Sequence, residues 1–81
     1  MIIIIEGAGE VGSHLAKMLS NEANDITVID CDEERLAKLN TTADVVTILG
    51  DLSCIKILKD AGVEHADLFI AVNPRASQYV N

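Results

Sequence analysis

Gly7, Gly9 and Gly12 stand in the spacing G-x-G-x-x-G, and Asp30 ends the next apolar run along the chain. Glycines in that spacing suit the cradling of a pyrophosphate. The first permits a tight turn. The second lets the backbone approach the phosphates where a Cβ would block them, and the third lets a helix pack close to a strand. The turn residues Ala8, Glu10 and Val11 belong to the same predicted site, because first-turn N–H groups present the positive end of a helix dipole to an anion. Asp30 is positioned to accept both ribose hydroxyls of an adenosine. A 2′-phosphate would meet like charge there, so the pattern predicts NAD(H) rather than NADP(H).

Further candidates extend this site. Cys31 adjoins Asp30 and is read as a small strand-end residue rather than a redox switch. Asp32 is read as a helix N-cap. Asp51, followed by Leu52, comes after Gly50, where it could contact an adenine edge or cap the next helix. Ala71, Val72 and Asn73 end the last apolar run, where small residues let a cofactor pass and Asn73 could bond a ribose or phosphate. Asn before Pro is also ordinary loop chemistry. Arg75 is read as solvated. His14 and His65 have no carboxylate, Ser or Cys at relay spacing, and no metal-ligand spacing occurs. No residue reads as a catalyst.

Strands alternating with helices must hold these residues. Ile2–Ile5 is apolar at every position, as in a strand covered on both faces. A helix over Glu10–Asn21 follows, with Val11, Leu15, Met18 and Leu19 at helical spacing. Asn24-Asp25 turns the chain into a strand over Ile26–Ile29. A second helix begins after Asp32, carries Glu33 and Glu34 in its first turn and Leu36 and Leu39 on its apolar side, and ends at Asn40-Thr41-Thr42. A third strand covers Val45–Leu49. A third helix covers Ser53–Ala61, with Ile55, Leu58 and Ala61 inward and Gly62 as its stop. A wholly apolar fourth strand covers Leu68–Val72, and Pro74 marks the departure from it. Right-handed crossovers then give an α/β, Rossmann-like parallel sheet in the order 3-2-1-4, with a ligand crevice between strands one and four.

The bulk properties agree. A chain of 81 residues is one small domain, here residues 1–81, and a 49% hydrophobic content predicts a packed core. That core must be aliphatic, since Phe69 and Tyr79 are the only aromatics. A net charge of −7 argues against nucleic acid or an anionic membrane as direct partner. Local backbone N–H groups can still hold a pyrophosphate. Cys31 and Cys54 lack CxxC spacing, no signal peptide precedes the first strand, and no apolar stretch would span a bilayer. These features predict a reduced, cytosolic protein without direct membrane insertion.

With these segments in place, the chain resembles the N-terminal part of the Rossmann-type regulatory domain of bacterial Trk/Ktr potassium uptake systems (TrkA-N, also RCK-N or KTN). The resemblance is carried by Ile3–Gly12, Leu15-Ala16, Leu19, Ile26–Asp30, Asp32–Leu36, Gly50-Asp51, Leu58–Val63 and Ala66–Val72. It implies a cytosolic regulatory subunit that binds NAD(H), or in some relatives ATP or ADP, and gates an integral membrane potassium transporter subunit at the inner face of the plasma membrane. Its nucleotide-binding positions fall on Gly7, Gly9, Gly12, Asp30, Asp51 and Ala71–Asn73. Glu10 stands where relatives thought to respond to ATP carry Arg, and its carboxylate would repel a γ-phosphate. Family members usually have Thr at the Asn73 position, and the residues after it differ here.

The family domain continues through two further strands, so the chain reads as truncated after strand four. That strand would be an exposed apolar edge, which predicts a homo-oligomer. The rival function is the cofactor half of an NAD-dependent dehydrogenase, and a third is a scaffold that no longer binds nucleotide. The absence of a catalytic group favours the regulatory reading.

Overall fold

β1 (Ile2–Glu6) occupies an interior position in the sheet because its isoleucines feed both faces. Ile3, Ile4 and Ile5 are each 1% exposed or less, so both faces of the strand's middle are covered. A computed structural model describes residues 1–20, 22–51 and 55–72. β1 pairs in parallel with β2 (Asp25–Asp30) on one side and β4 (Leu68–Ala71) on the other. β3 (Val46–Leu49) pairs with the outer side of β2. The order is therefore β3-β2-β1-β4, as the strand–helix alternation predicts, and the fold is a Rossmann-like α/β sheet.

Right-handed crossovers put α1 (Glu10–Ser20) and α2 (Glu33–Asn40) on one face of the sheet and α3 (Ile55–Asp60) on the other. The α1–α2 face holds the main core. Ile3 and Ile5 from β1, Ile26 and Val28 from β2, Ala16 from α1, and Leu36 and Leu39 from α2 pack there as one cluster. Ile4 and Ile29, fully buried, supply the opposite face. Asp32 caps α2 as expected, its carboxylate accepting from the N–H groups of Glu34 at 3.0 Å and Arg35 at 3.4 Å. At the start of β1, Ile2 and Asp67 lock the register reciprocally. The Ile2 N–H donates to the Asp67 carboxylate at 2.7 Å, and the Asp67 N–H donates to the Ile2 carbonyl at 2.8 Å.

The structure corrects several details, among them the start of β3 at Val46 rather than Val45 and the place of Asp25, which opens β2 instead of belonging to the turn before it. On α1, Val11 and Met18 are exposed, at 62% and 53%, while the buried positions are Gly12 and Ala16 with Leu15 and Leu19 packed beside them. The helix lies so close to the sheet that its contact stripe is built from small residues, and the bulkier apolar residues fall to either side. After α3, Gly62 takes φ 87° and hands the chain to a 3-10 turn, Val63–His65, where the sequence predicts only a loop. α3 itself ends at Asp60 and β4 at Ala71, each one residue short of expectation. The expected start of α3 at Ser53, and Cys54, lie outside the described residues.

Candidate functional site

The carboxyl ends of four parallel strands meet at one edge of the sheet, and backbone hydrogen bonds tie them together past the strands themselves. The Gly7 N–H donates to the Ile29 carbonyl at 2.8 Å, the Val72 N–H to the Glu6 carbonyl at 2.9 Å, and the Gly50 N–H to the Asp30 carbonyl at 3.0 Å. This edge gathers Gly7, Ala8, Gly9, Glu10, Val11 and Gly12 with Asp30, Cys31, Asp51, Ala71 and Val72. Of these, Cys31 and Asp51 are exposed, and Val72 is half-buried. Leu52, Asn73 and Arg75 lie outside the described residues.

Each glycine of the turn has its own physical reason. Gly7 has φ 116°, a conformation that a side chain disfavours. A Cβ on Gly12 would collide with the Gly7 carbonyl oxygen and lie 3.0 Å from Val72 Cγ2, so α1 can begin this close to the turn only with glycine there. Gly9 differs from both. Its φ is ordinary, and a Cβ built on it meets nothing within 4 Å. The protein's own packing therefore does not require glycine at position 9. The space that a side chain would fill lies beside the first turn of α1, where the helix ladder begins only with the Ser13 N–H donating to the Gly9 carbonyl at 2.9 Å. The N–H groups of Glu10, Val11 and Gly12 precede that ladder and have no partner within the helix.

Asp30 is 3% exposed and tightly engaged. One carboxylate oxygen accepts the Ala8 N–H at 2.7 Å, the other accepts the Asp32 N–H at 2.8 Å, and Arg35 Nη1 lies 3.9 Å away. The acid thus fastens the glycine turn to the start of α2. The Ala8 N–H, placed by sequence among the turn's ligand-facing groups, is directed at Asp30 instead. Ser13 adds a second brace, its hydroxyl donating to the Ala8 carbonyl at 2.8 Å. Nothing in the spacing of Ser13 or Arg35 marks these contacts, because they depend on how the turn folds back over β2.

The cavity at this edge is not confined to the β1–β4 crevice. An open groove of about 550 Å³ runs from Gly9 down between α1 and α2, flanked by His14, Lys17, Arg35 and Lys38 with Leu39 among its lining. Sequence reasoning does not find it, since α1 and α2 become neighbours only through the sheet order. Among the described residues no group of His, Cys, Asp and Glu could hold a metal ion, and no helix is long and apolar enough to cross a membrane.

Comparison with known proteins agrees with this architecture. The family model described as the TrkA-N domain matches residues 3–80. The chain is 51% identical over 72 residues to the Trk system potassium uptake protein TrkA of Halomonas elongata, covering 89% of the chain and 16% of that protein. It is 44% identical over 81 residues to the TrkA of Haemophilus influenzae, covering 100% of the chain and 17% of that protein. A TrkA homolog from Archaeoglobus fulgidus is 47% identical over 72 residues, 89% of the chain and 16% of the relative. The chain thus spans about one sixth of the length of these curated relatives.

Proposed function

The chain belongs to the TrkA-N domain family, and from that membership we propose that it is the nucleotide-sensing part of a regulatory subunit of a potassium uptake system. The observation that carries nucleotide binding is Gly9. Its missing side chain answers no need of the fold, yet it leaves open space next to first-turn N–H groups that are outside the helix ladder. A pyrophosphate is the ligand that such a cradle suits. NAD(H) is the favoured dinucleotide. Gly7, Gly9 and Gly12 admit its phosphates, Asp30 and Cys31 border its adenosine ribose, Asp51 lies towards its adenine, and Ala71 and Val72 bound the crevice on the β4 side. Glu10, exposed in the first turn of α1, disfavours the γ-phosphate of ATP.

Binding acts as a signal rather than as the start of a reaction. Occupancy shifts the population of domain arrangements, and an integral membrane potassium transporter on the cytoplasmic side reads the shift. The names of the relatives, Trk system potassium uptake proteins, support that partner.

The test is calorimetric titration of NAD+, NADH, ATP and ADP into the protein and into Gly9→Ala. A Cβ at position 9 is accommodated, so the variant keeps its stability to within about 1 kcal/mol while losing at least about tenfold in dinucleotide affinity. Unchanged affinity in Gly9→Ala refutes the cradle. Failure of all four nucleotides to bind refutes nucleotide sensing by this chain.

A further inference from the structure

The groove between α1 and α2 concentrates positive charge on an otherwise acidic chain. Three of the six Lys and Arg residues line it, Lys17 on α1 and Arg35 and Lys38 on α2, with His14 beside them, although the net charge of the chain is −7. Glu10 is the single acid of the lining, at the end nearest the glycine turn. Arg35 is partly engaged, 3.6 Å from Asp32 and 3.9 Å from Asp30, but its side chain remains 54% exposed. Lys17 and Lys38 have no ion-pair partner among the described residues. An acidic chain could satisfy these ammonium groups with its own carboxylates, and here it does not. The groove therefore offers hydrogen-bond donors and positive charge with little of either already spent.

Shape and length narrow the ligand. The volume, about 550 Å³, falls within the range of small-molecule sites. Lys17 stands two helical turns beyond Gly9, roughly 12 Å along α1, which exceeds the reach of a single phosphate. Lys17 on α1 and Lys38 on α2 line the same groove, which suits an anion that spans the two helices. We propose that the part of the α1–α2 groove beyond the glycine turn, around Lys17, Arg35 and Lys38, is a second anion site, continuous with the turn at Gly9, for a ligand carrying two or more phosphoryl groups. Such groups come from a soluble polyphosphate or from a lipid headgroup with more than one phosphate, and the chemistry of recognition is the same for both.

The experiment has three arms. Inorganic pyrophosphate and tripolyphosphate are titrated calorimetrically at near-physiological salt. Vesicles of phosphatidylcholine with cardiolipin, against phosphatidylcholine alone, are tested by co-sedimentation. Both measurements are repeated on Gly9→Ala, on Lys17→Glu, on Lys17→Glu/Lys38→Glu and on Lys56→Glu/Lys59→Glu, the last a charge-matched control on exposed lysines of α3. The expected result is saturable binding that falls at least about tenfold in the groove double variant, falls measurably in Lys17→Glu, and stays within about twofold in the control. Binding only to cardiolipin vesicles, with the same pattern of variants, assigns the lipid source. Absence of binding in both assays overturns the proposal, as does an equal loss in the α3 control. A silent Lys17→Glu beside a loss in Gly9→Ala overturns it too, because the phosphates then occupy the turn. The proposal rests on its own ligands: polyphosphate binding is read on the groove variants and dinucleotide binding on Gly9→Ala, so failure here and failure of nucleotide sensing are distinguished.

Discussion

Gly9 and Gly12 are written with the same letter and are held by opposite forces. Gly12 is fixed by the protein's own backbone, because a methyl group there would overlap the Gly7 carbonyl. Gly12→Ala is expected to cost about 3 kcal/mol or more in urea unfolding, a large part of what a small domain possesses. Gly9→Ala, judged by the same measurement, should stay within about 1 kcal/mol. Equal losses in the two variants would refute the distinction. Asp30 shows how far spacing alone reaches. Its position at the end of β2 is legible from the apolar run before it. Its structural task is not, since the Ala8 and Asp32 N–H groups reach it only once the turn has closed. Asp30→Ala leaves two donors without their charged acceptor and should destabilise the unliganded protein by about 3 kcal/mol. A ligand assay on that variant must therefore compare bound with free protein of the same sequence.

At the scale of elements, the strands were the most legible part of the chain. Ile2–Ile5, Ile26–Ile29 and Leu68–Val72 lack the strict alternation of a half-buried strand, and each lies within two residues of an observed strand, although β4 leaves Leu68 and Phe69 exposed. The face of α1 was less legible. Val11 and Met18 look like core residues by type, but a helix packed close to a sheet selects small residues for its contact stripe, and Gly12 and Ala16 hold it. The 3-10 turn after Gly62 was hidden for a related reason: a glycine that ends one helix can also begin another turn. The cap of α2 was readable, since Asp32 precedes two acids in a first turn. Asp32→Ala should lower stability by about 1 kcal/mol through lost N–H bonds to Glu34 and Arg35, with little contribution from its half-exposed contact with Arg35. A chemical denaturation curve unchanged by this variant would refute that accounting.

Across the whole molecule, charge and the β4 side of the sheet dominate. Thirteen acids against six Lys and Arg repel one another in the compact state, and salt screens that repulsion. Raising sodium chloride from about 20 mM to about 500 mM should raise the unfolding midpoint by a few degrees. A falling midpoint would show that attractive pairs outweigh net repulsion. On β4, Leu68 and Phe69 are 42% and 38% exposed, and among the described residues the strand pairs with β1 alone. We expect the chain to self-associate through that side, so its apparent mass by sedimentation should rise with concentration. A constant monomer mass would refute it.

The reciprocal bond between Ile2 and Asp67 sets a schedule for the nascent chain. Of the four described strands, β1 is the first to be synthesised yet lies inside the sheet, and one of its neighbours, β4, is the last of the four in sequence. During synthesis the isoleucine run can gain β2 early, but its other flank has to wait until residue 71 is clear of the exit tunnel. β1 is thus paired on both sides only after β4 has been made. The β1–β4 pairing is a late event relative to the β1–β2 pairing, and translation speed between β2 and β4 governs how long that flank of the isoleucine run stands open to other chains.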